Sequence, residues 1–228
     1  MAGFLDWPFD APLFRDRFDA GRVTAAVVPA GLGPQTLVVG LARGGVLVAA
    51  EIAAAHDWPL DVVAVRKVRN PYQPEYALGA VTPGGDGVYV RAGDGLSDSQ
   101  LADAVGQAQR EAVKLDACLH AGHPPLDRAG RPVVLVDDGL ATGSTLIAAA
   151  RWARAGHAAR TLAAVPVAAR QSLDRILDEV DLFYCPHVRD DLGAVGIWYA
   201  DFSPVSDDDV LRLLDETAVR SHAVTGAG

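Results

Sequence analysis

VVLVDDGLATGST, residues 133–145, is the stretch of this sequence that decides the fold. Four apolar residues form a run typical of a buried strand, two adjacent acids end it, and a turn of small residues leads into a helical pattern. A strand that is apolar on both faces is typical of a parallel sheet covered by helices on each side. Ligands of such sheets bind at the carboxyl ends of the strands, which is where Asp137 and Asp138 are expected.

The same stretch has the donors and acceptors of a sugar-phosphate site. Free backbone N–H groups at a helix start, together with the positive end of the helix dipole, attract a phosphate. Gly143 has no Cβ and lets the backbone approach closely. Asp137 and Asp138 repel a phosphate but accept hydrogen bonds from vicinal hydroxyls, so a ribose 5-phosphate suits both halves. The expected 5-phosphate ligands are Ala141, Thr142, Gly143, Ser144 and Thr145.

Each half of this motif also has an ordinary structural explanation. An aspartate near a strand end suits a turn or a helix cap, and Thr-Gly-Ser-Thr can simply start a helix. The combination of both halves is much more specific than either alone. We therefore interpret the motif as functional.

The β/α alternation continues on both sides of the motif. Strand patterns occupy residues 37–40, 60–65, 158–165 and 182–185, and helical patterns occupy residues 46–56, 144–155, 172–179 and about 206–220. Ser97 and Gln100 form a capping-box pattern at the start of another long helix. Residues 68–90 are rich in proline and glycine, which predicts a long loop that leads into a β-hairpin. We expect one α/β domain over residues 1–228, with a parallel twisted sheet flanked by helices and a frayed tail at 221–228.

Bulk composition excludes several classes of protein. The 228 residues carry a net charge of −9 with no Lys/Arg-rich run, which argues against nucleic acid as a partner. Cys118 and Cys185 are too few for a disulfide framework or a zinc site. We see no signal-peptide pattern and no apolar run of membrane-spanning length, so we expect a cytoplasmic protein without a membrane partner.

Other motifs for phosphate or nucleophilic chemistry fit less well. No Lys follows Gly143, as a Walker A loop requires, and no Gly-x-Gly-x-x-Gly follows a strand. The paired acids of phospho-acceptor receiver pockets normally end the first strand, whereas this pair lies past the midpoint of the chain. A Gly-x-Ser-x-Gly elbow is absent, and the loose His120/His123 pair is better explained as solvated.

Residues 133–145 resemble the phosphoribosyl-pyrophosphate motif of the type I phosphoribosyltransferase family. The likeness extends over about residues 15–220 and includes VGLARGG, residues 39–45, which is similar to the family's pyrophosphate loop. The Arg-Gly-Gly at 43–45, the Pro-Glu pair in residues 70–79 and the Gly-x-Trp-Tyr at 196–199 are similar to a bacterial subgroup that is named only generically. This resemblance implies the type I fold, with a core at about 31–185 and a small hood from residues 1–30 and 186–205.

The resemblance implies a reaction between 5-phosphoribosyl-1-pyrophosphate (PRPP) and a nitrogenous base, with release of pyrophosphate and with Mg²⁺ as cofactor. Asp137 and Asp138 would hold the ribose hydroxyls, directly or through water on the metal. Pyrophosphate would contact Ala42, Arg43, Gly44, Gly45 and Lys67. The implied catalytic residues are Asp137, Asp138, Arg43 and Lys67, and a homodimer is common for the fold.

The resemblance also implies a lid and a base-recognising hood. Residues 68–79 would form the lid, with Glu75 and Tyr76 reaching the site, although a mobile surface loop explains them equally well. The hood candidates are Val195, Trp198 and Asp201, and a core position is favoured for Trp198. Purine-using relatives often have an aromatic residue before a Val-Gly pair of the hood. Residues 192–194 are Leu-Gly-Ala, which argues against a tightly stacked purine.

Two functions from other classes stay open. Some family members sense PRPP without catalysis and bind nucleic acid, but the acidic charge and the absence of a separate helix-turn-helix region argue against this. The other alternative is a hydrolase or phosphorylase that acts on ribosyl compounds in the same pocket. The products formed without an added base would identify it.

Overall fold

The computed structural model describes residues 12–90 and 95–225, without the side chains of 74–76, 89–90 and 218–225. Helices and strands alternate along most of the chain. In chain order the elements are α1 (Arg17–Ala25), β1 (Leu37–Ala42), α2 (Gly44–His56), β2 (Leu60–Ala64), β3 (Arg66–Asn70), β4 (Gln73–Val81), β5 (Tyr89–Val90), α3 (Asp98–Leu119), β6 (Pro132–Val136), α4 (Ser144–Ala155), β7 (Arg160–Ala164), β8 (Val167–Ala169), α5 (Leu173–Leu177), β9 (Leu182–Tyr184), β10 (His187–Arg189) and α6 (Asp207–Thr225).

A five-stranded parallel sheet forms the centre of the molecule, in the spatial order β2-β1-β6-β7-β9. β6 lies in the middle and pairs with β1 on one side and β7 on the other. Because all five strands run the same way, their carboxyl ends meet at one edge of the sheet. The segments after β1 and β6 therefore lie next to each other, and this is the edge that carries the site.

Both faces of the sheet are covered, which explains the nearly continuous apolar strands. Val134 and Val136 face a core formed with α2, α6 and the end of α3. Val133 and Leu135 face the opposite core, where α4 and α5 supply most of the partners. All four valine and leucine side chains are fully buried. The predicted fold, a parallel sheet flanked by helices, is confirmed.

A small hood stands over the carboxyl edge of the sheet and is built from both ends of the chain. Phe14 pairs with the segment that ends a short 3-10 turn: its N–H donates to the Trp198 carbonyl at 3.1 Å, and its carbonyl accepts from the Ala200 N–H at 2.8 Å. Trp198 and Tyr199 pack on Phe14 in a separate apolar cluster with Leu192. The predicted hood is confirmed for the described residues, and residues 1–11 lie outside them.

The β-hairpin predicted within residues 68–90 is present, but the long loop predicted to lead into it is wrong, because strands begin at Arg66 and Gln73. β3 and β4 form an antiparallel ribbon, with two register irregularities between Val68 and Asn70, and β5 pairs with β4. Val68 and Leu78 are fully buried against α3, so the ribbon has its own apolar contact. Prolines and glycines have a weak preference for strands and therefore suggested a loop. Burial of Val68 and Leu78 offsets that weak preference.

Several element boundaries also differ from the sequence-based expectations. α6 continues to Thr225, so the tail is helical five residues beyond the expected end at 220. The capping box at Ser97 is confirmed, because the Ser97 hydroxyl accepts the Gln100 N–H and the Gln100 side chain accepts the Ser97 N–H. α1 and the two short parallel strands β8 and β10 were not predicted. Within the described residues, none of the helices is long and apolar enough to cross a membrane.

Candidate functional site

Asp137 lies at the carboxyl end of β6 and is held by the loop that follows it. Its Oδ1 accepts the Asp138 N–H at 3.0 Å, and its Oδ2 accepts the Thr145 hydroxyl at 3.0 Å. Removal of water from the carboxyl, and then the neighbouring charge of Asp138, raise the pKa of Asp137 well above its ordinary range. The hydrogen bonds to Asp138 and Thr145 and the charge of Lys67 oppose this rise. The folded site thus contains a carboxylate whose negative charge is not fully compensated.

Asp138 is held by residues of the hood, which the sequence did not reveal. Its Oδ2 accepts the Arg17 Nε–H at 2.8 Å, and both side chains are largely buried. Its backbone carbonyl accepts the Tyr199 hydroxyl at 2.5 Å. No group within residues 12–90 and 95–225 bonds to Asp138 Oδ1. One oxygen of this carboxylate is therefore available to a ligand.

The segment after the two acids forms an anion cradle at the start of α4. Gly143 precedes the helix with a positive φ of 79°, a conformation that favours glycine. None of the N–H groups of residues 141–145 donates to another group in the described part of the chain. Ser172 fixes the loop from behind, because its hydroxyl donates to the Ala141 carbonyl at 2.5 Å. These donors and the helix dipole suit a phosphate.

One cavity of about 640 Å³ joins the cradle to both acids. Of the predicted 5-phosphate residues, Ala141, Thr142, Gly143 and Thr145 line it. Ser144 does not line it; its side chain is buried, and its hydroxyl lies 3.3 Å from that of Thr142. The size suits a ligand of nucleotide class, since ligand pockets commonly have about 300–1,000 Å³.

The pyrophosphate loop predicted after β1 lies beside the acids. Ala42 and Gly44 line the cavity, and the peptide bond between Ala42 and Arg43 is cis. A Cβ on Gly44 would lie 2.1 Å from Asp138 Oδ2, and one on Gly45 would lie 2.3 Å from the Val136 carbonyl. Both glycines are therefore needed for the close contact between this loop and the end of β6.

The cations of the site come from β3 rather than from the loop itself. Arg66, Lys67 and Arg69 all line the cavity, opposite the acids of β6. Arg43 is not among the lining residues, because its Nε donates to Asp207 Oδ1 on α6 at 2.5 Å. Lys67, for which the sequence predicts contact with pyrophosphate, thus lies at the cavity, and so does Arg69, to which the sequence gave no role.

The hood contributes an apolar wall to the cavity. Val195, a predicted hood residue, lines it together with Ala194, Gly196 and Phe202. Trp198 is buried, and its indole N–H donates to the Leu192 carbonyl at 2.9 Å, which agrees with the core position favoured for it. Asp201 is exposed and accepts hydrogen bonds from the N–H and hydroxyl of Ser203. Phe202 was missed because it lies outside the motif segments.

The residues proposed for the lid lie on β4. Gln73–Val81 is a strand of the ribbon, so Glu75 and Tyr76 belong to a hydrogen-bonded element. The side chains of both residues lie outside the described part of the structure. Their predicted contribution to the site stays a prediction.

A neighbouring cavity of about 670 Å³ lies between β3 and α3. It shares Lys67 and Arg69 with the first cavity but contains neither carboxylate of β6 nor the cradle at α4. We therefore place the candidate active site in the first cavity, where the acids, the cradle and the glycine loop meet.

Asp137 and Asp138 could bind a divalent cation whose remaining ligands come from a bound substrate. The described residues contain no group of three or more His, Cys, Asp or Glu side chains that could form a complete protein site for a metal. Burial and then the neighbouring Asp138 charge raise the pKa of Asp137, and a bound cation would oppose both effects. Asp137 and Asp138 are the residues placed to contact it, and Mg²⁺ commonly uses one or two carboxylates together with substrate phosphates.

Comparison of the sequence with known families agrees with this geometry. Residues 32–189 match the family model described as "Phosphoribosyl transferase domain", and this segment contains the acids, the cradle and the glycine loop. The chain belongs to the phosphoribosyltransferase family. The resemblance inferred from residues 133–145 and 39–45 is therefore confirmed.

Relatives of this phosphoribosyltransferase family member include two Mycobacterium tuberculosis proteins, from strains CDC 1551 and H37Rv, that are provisionally named phosphoribosyl transferases. Each is 40% identical over 220 residues, which are 94% of this chain and 49% of the relative. The chain thus spans about half the length of these curated relatives. A crystal structure of the protein TT1426 from Thermus thermophilus is 39% identical with a TM-score of 0.74, covering 89% of this chain and 98% of that one.

Proposed function

We propose that the protein is a phosphoribosyltransferase that uses PRPP and Mg²⁺ to transfer phosphoribose to a nitrogenous base, with release of pyrophosphate. The observation that carries this proposal is the composition of one cavity. It contains a phosphate cradle at α4, two carboxylates at β6 and a glycine loop after β1. PRPP presents a phosphate, vicinal hydroxyls and a pyrophosphate, which match these three parts.

The 5-phosphate is assigned to the cradle of residues 141–145. Its free N–H groups and the start of α4 supply donors and a favourable dipole without a cationic side chain. Thr142 and Thr145 add hydroxyls that line the cavity. Thr145 already donates to Asp137, so it links phosphate recognition to the position of the first acid.

The ribose hydroxyls are assigned to the two acids. Asp138 Oδ1 can accept a hydrogen bond from a ribose hydroxyl. Both oxygens of Asp137 already accept one hydrogen bond, and each keeps a lone pair that can accept another. When bound, Mg²⁺ would neutralise part of the negative charge of the pyrophosphate. Hydrogen bonds from ribose to fixed carboxylates orient C1, and orientation of this kind accounts for a large part of catalysis in displacement reactions.

The pyrophosphate is assigned to the loop after β1 and to the cations of β3. Ala42 and Gly44 bring backbone close to the ligand, and Lys67 and Arg69 face the same space. Preorganised positive charge stabilises the negative charge that develops on the leaving group. The apolar hood wall, with Val195 and Phe202, keeps water away from C1 and suits the face of a flat base.

The finer properties also belong to this proposal. We also propose that the protein is a homodimer, that it acts in the cytoplasm, and that PRPP and a base are its small-molecule partners. The family resemblance supports these three properties. The apolar wall, with Val195 and Phe202, argues for a flat heterocycle as the acceptor.

The experiment that tests the proposal is calorimetric titration of PRPP in the presence of Mg²⁺. Wild type is expected to bind with a Kd on the order of micromolar, and Asp137→Asn/Asp138→Asn is expected to lose binding. Asp174→Asn/Asp178→Asn is a matched control, because it removes the same charge from exposed positions on and after α5. Absence of binding by wild type would end the PRPP proposal.

A screen of bases for pyrophosphate release then identifies the acceptor. The same assay without a base separates the alternatives: release of pyrophosphate together with ribose 5-phosphate would indicate a hydrolase. Tight binding of PRPP without turnover on any base would favour the regulatory alternative.

A further inference from the structure

Arg17 is a buried cation in the hood, and its burial needs a reason. It lies in the first turn of α1 with 8% of its surface exposed. A buried charge is costly unless it is paired and hydrogen-bonded. The other buried positions of α1 are small residues, namely Ala20, Gly21, Thr24 and Ala25, so Arg17 is the one large side chain that this helix buries.

The guanidinium of Arg17 joins three parts of the molecule. Its Nε donates to Asp138 Oδ2 at 2.8 Å, and its Nη1 donates to the Ser203 carbonyl at 2.9 Å. Its Cζ lies 3.7 Å from the centre of the Phe202 ring, a cation–π contact. Ser203 and Phe202 belong to the hood, whereas Asp138 belongs to the sheet edge.

The same group touches the loop assigned to pyrophosphate. A Cβ on Gly44 would lie 2.9 Å from Arg17 Nε, so the backbone of this loop passes directly beside the guanidinium. Phe202 lines the cavity, and Asp138 lines it as well. Arg17 thus stands behind both the carboxylate and the aromatic wall without lining the cavity itself.

The arrangement leaves one specific atom of Asp138 for a ligand. Arg17 occupies Oδ2, and Tyr199 occupies the backbone carbonyl, so rotation of the carboxylate would break a buried ion pair. Oδ1 has no partner in the described ranges. Since a carboxylate bonded on one oxygen has a fixed plane, the direction of Oδ1 is set by Arg17.

We propose that Arg17 is a positioning residue for the phosphoribosyl donor: it fixes the Asp138 carboxylate for the ribose hydroxyls and ties that carboxylate to the hood wall at Phe202. This inference rests on the proposed function, and it assigns ribose recognition partly to a residue that is 121 positions away from Asp138 in sequence. It also separates the ribose subsite, which depends on Arg17, from the pyrophosphate subsite, which depends on backbone and β3.

The test compares two ligands on the same variants by calorimetry, PRPP with Mg²⁺ and pyrophosphate with Mg²⁺. Arg17→Met removes the charge and keeps an apolar stem on Phe202. It is expected to weaken PRPP binding about tenfold or more, because the charge-assisted hydrogen bond to Asp138 is lost. The affinity for pyrophosphate is expected to change less than about twofold. Arg17→Lys is expected to recover most of the lost PRPP affinity.

Arg22→Met is the matched control, because it removes a positive charge from the same helix. Arg22 is half-exposed and makes only 3.5 Å ion pairs with Asp19 and Glu51, so both affinities are expected to stay at the wild-type values. Thermal melts of every variant confirm that the titrations are made on folded protein.

Two results would overturn the inference, and they differ from failure of the proposed function. Unchanged PRPP affinity in Arg17→Met would show that Asp138 needs no positioning. An equal loss for PRPP and pyrophosphate, with no recovery in Arg17→Lys, would show that Arg17 only supports the hood. If wild type does not bind PRPP, whether or not it binds pyrophosphate, the proposed function fails before any Arg17 variant is compared.

Discussion

Arg43 Nε lies 2.5 Å from Asp207 Oδ1, an ion pair that joins the loop after β1 to the first turn of α6. Both side chains are a little over one-third exposed, at 38% and 35%, so the pair is screened and its contribution to stability is small. The arginine assigned to pyrophosphate therefore points to the C-terminal helix in this structure. A ligand that binds Arg43 Nε must therefore compete with Asp207 for it.

Asp207→Asn is expected to strengthen binding of pyrophosphate with Mg²⁺. The substitution removes the charge that competes for Arg43, and a pair of this exposure is worth about 0.5–1 kcal/mol, which corresponds to about a two- to fivefold lower Kd. Calorimetric titration measures this change. Asp208→Asn is the control, since Asp208 is exposed in the same helical turn. Equal or weaker binding by Asp207→Asn would mean that Arg43 does not act on pyrophosphate.

Asp137→Asn is expected to stabilise the folded protein while it impairs donor binding. Because burial and the Asp138 charge raise the pKa of Asp137, the folded state binds this proton more tightly than the unfolded state. Stability therefore falls as pH rises from the unfolded pKa of about 4 through the raised pKa, and the charged carboxylate is a cost above it.

The gain from Asp137→Asn should accordingly be larger at pH 8 than at pH 5. We expect about 1 kcal/mol at pH 8, or about 3 °C in Tm for a domain of this size. Thermal melts at the two pH values measure it, with the exposed Asp178→Asn as the control. A loss of stability at pH 8 would mean that the hydrogen bonds from Thr145 and Asp138 outweigh the buried charge.

His120 is expected to stabilise the protein in its charged form. Its Nδ1 lies 3.4 Å from Asp116 Oδ2 and its Nε2 lies 3.3 Å from Asp61 Oδ1. The hydrogen bonds with Asp116 and then Asp61 raise the pKa of His120 to about 10. A raised histidine pKa gives stability that is fully present below about 6.5 and is lost as pH rises toward 10.

His120→Asn should therefore lower Tm more at pH 6.5 than at pH 9.5. The loss at the lower pH is expected to be about 1–3 kcal/mol, the range for a hydrogen bond to a charged group. His123→Asn is the control, because its partner Asp215 is 69% exposed and such pairs contribute little. An equal loss at both pH values would show that His120 acts through packing rather than charge.

Local signals made the core of the site predictable from sequence. A strand, two acids and a small-residue turn lie within residues 133–145, and each feature acts through neighbours in the chain. The position of residues 39–45 beside them followed from parallel pairing of β1 and β6, which places both strand ends at one edge. The motif at 133–145 needed no knowledge of long-range contacts, whereas the direct pairing of β1 with β6 is a long-range contact that only the structure gives.

Contacts made between distant segments were not predictable in the same way. α1 buries mainly small residues, so it lacks the apolar periodicity that marks a helix, and the partner of its Arg17 lies 121 residues away. Phe202 follows no motif and reaches the cavity only through the fold of the hood. The β3–β4 ribbon was mistaken for a loop because its prolines and glycines obscure the burial of Val68 and Leu78.

Gly44→Ala is expected to disrupt the site through space rather than backbone strain. Its Cβ would lie 2.1 Å from Asp138 Oδ2 and 2.9 Å from Arg17 Nε, distances that the buried ion pair cannot accept without moving. We expect at least a tenfold loss of PRPP affinity, since a buried carboxylate would lose its charge-assisted partner. Gly106→Ala on α3 is the control, because its Cβ would come no closer than 3.4 Å, to the end of the flexible Arg110 side chain. That variant should bind PRPP normally and gain up to about 1 kcal/mol from better helix propensity. Wild-type PRPP affinity in Gly44→Ala would mean that the Arg17–Asp138 pair can move aside and that its observed position is not required for the donor.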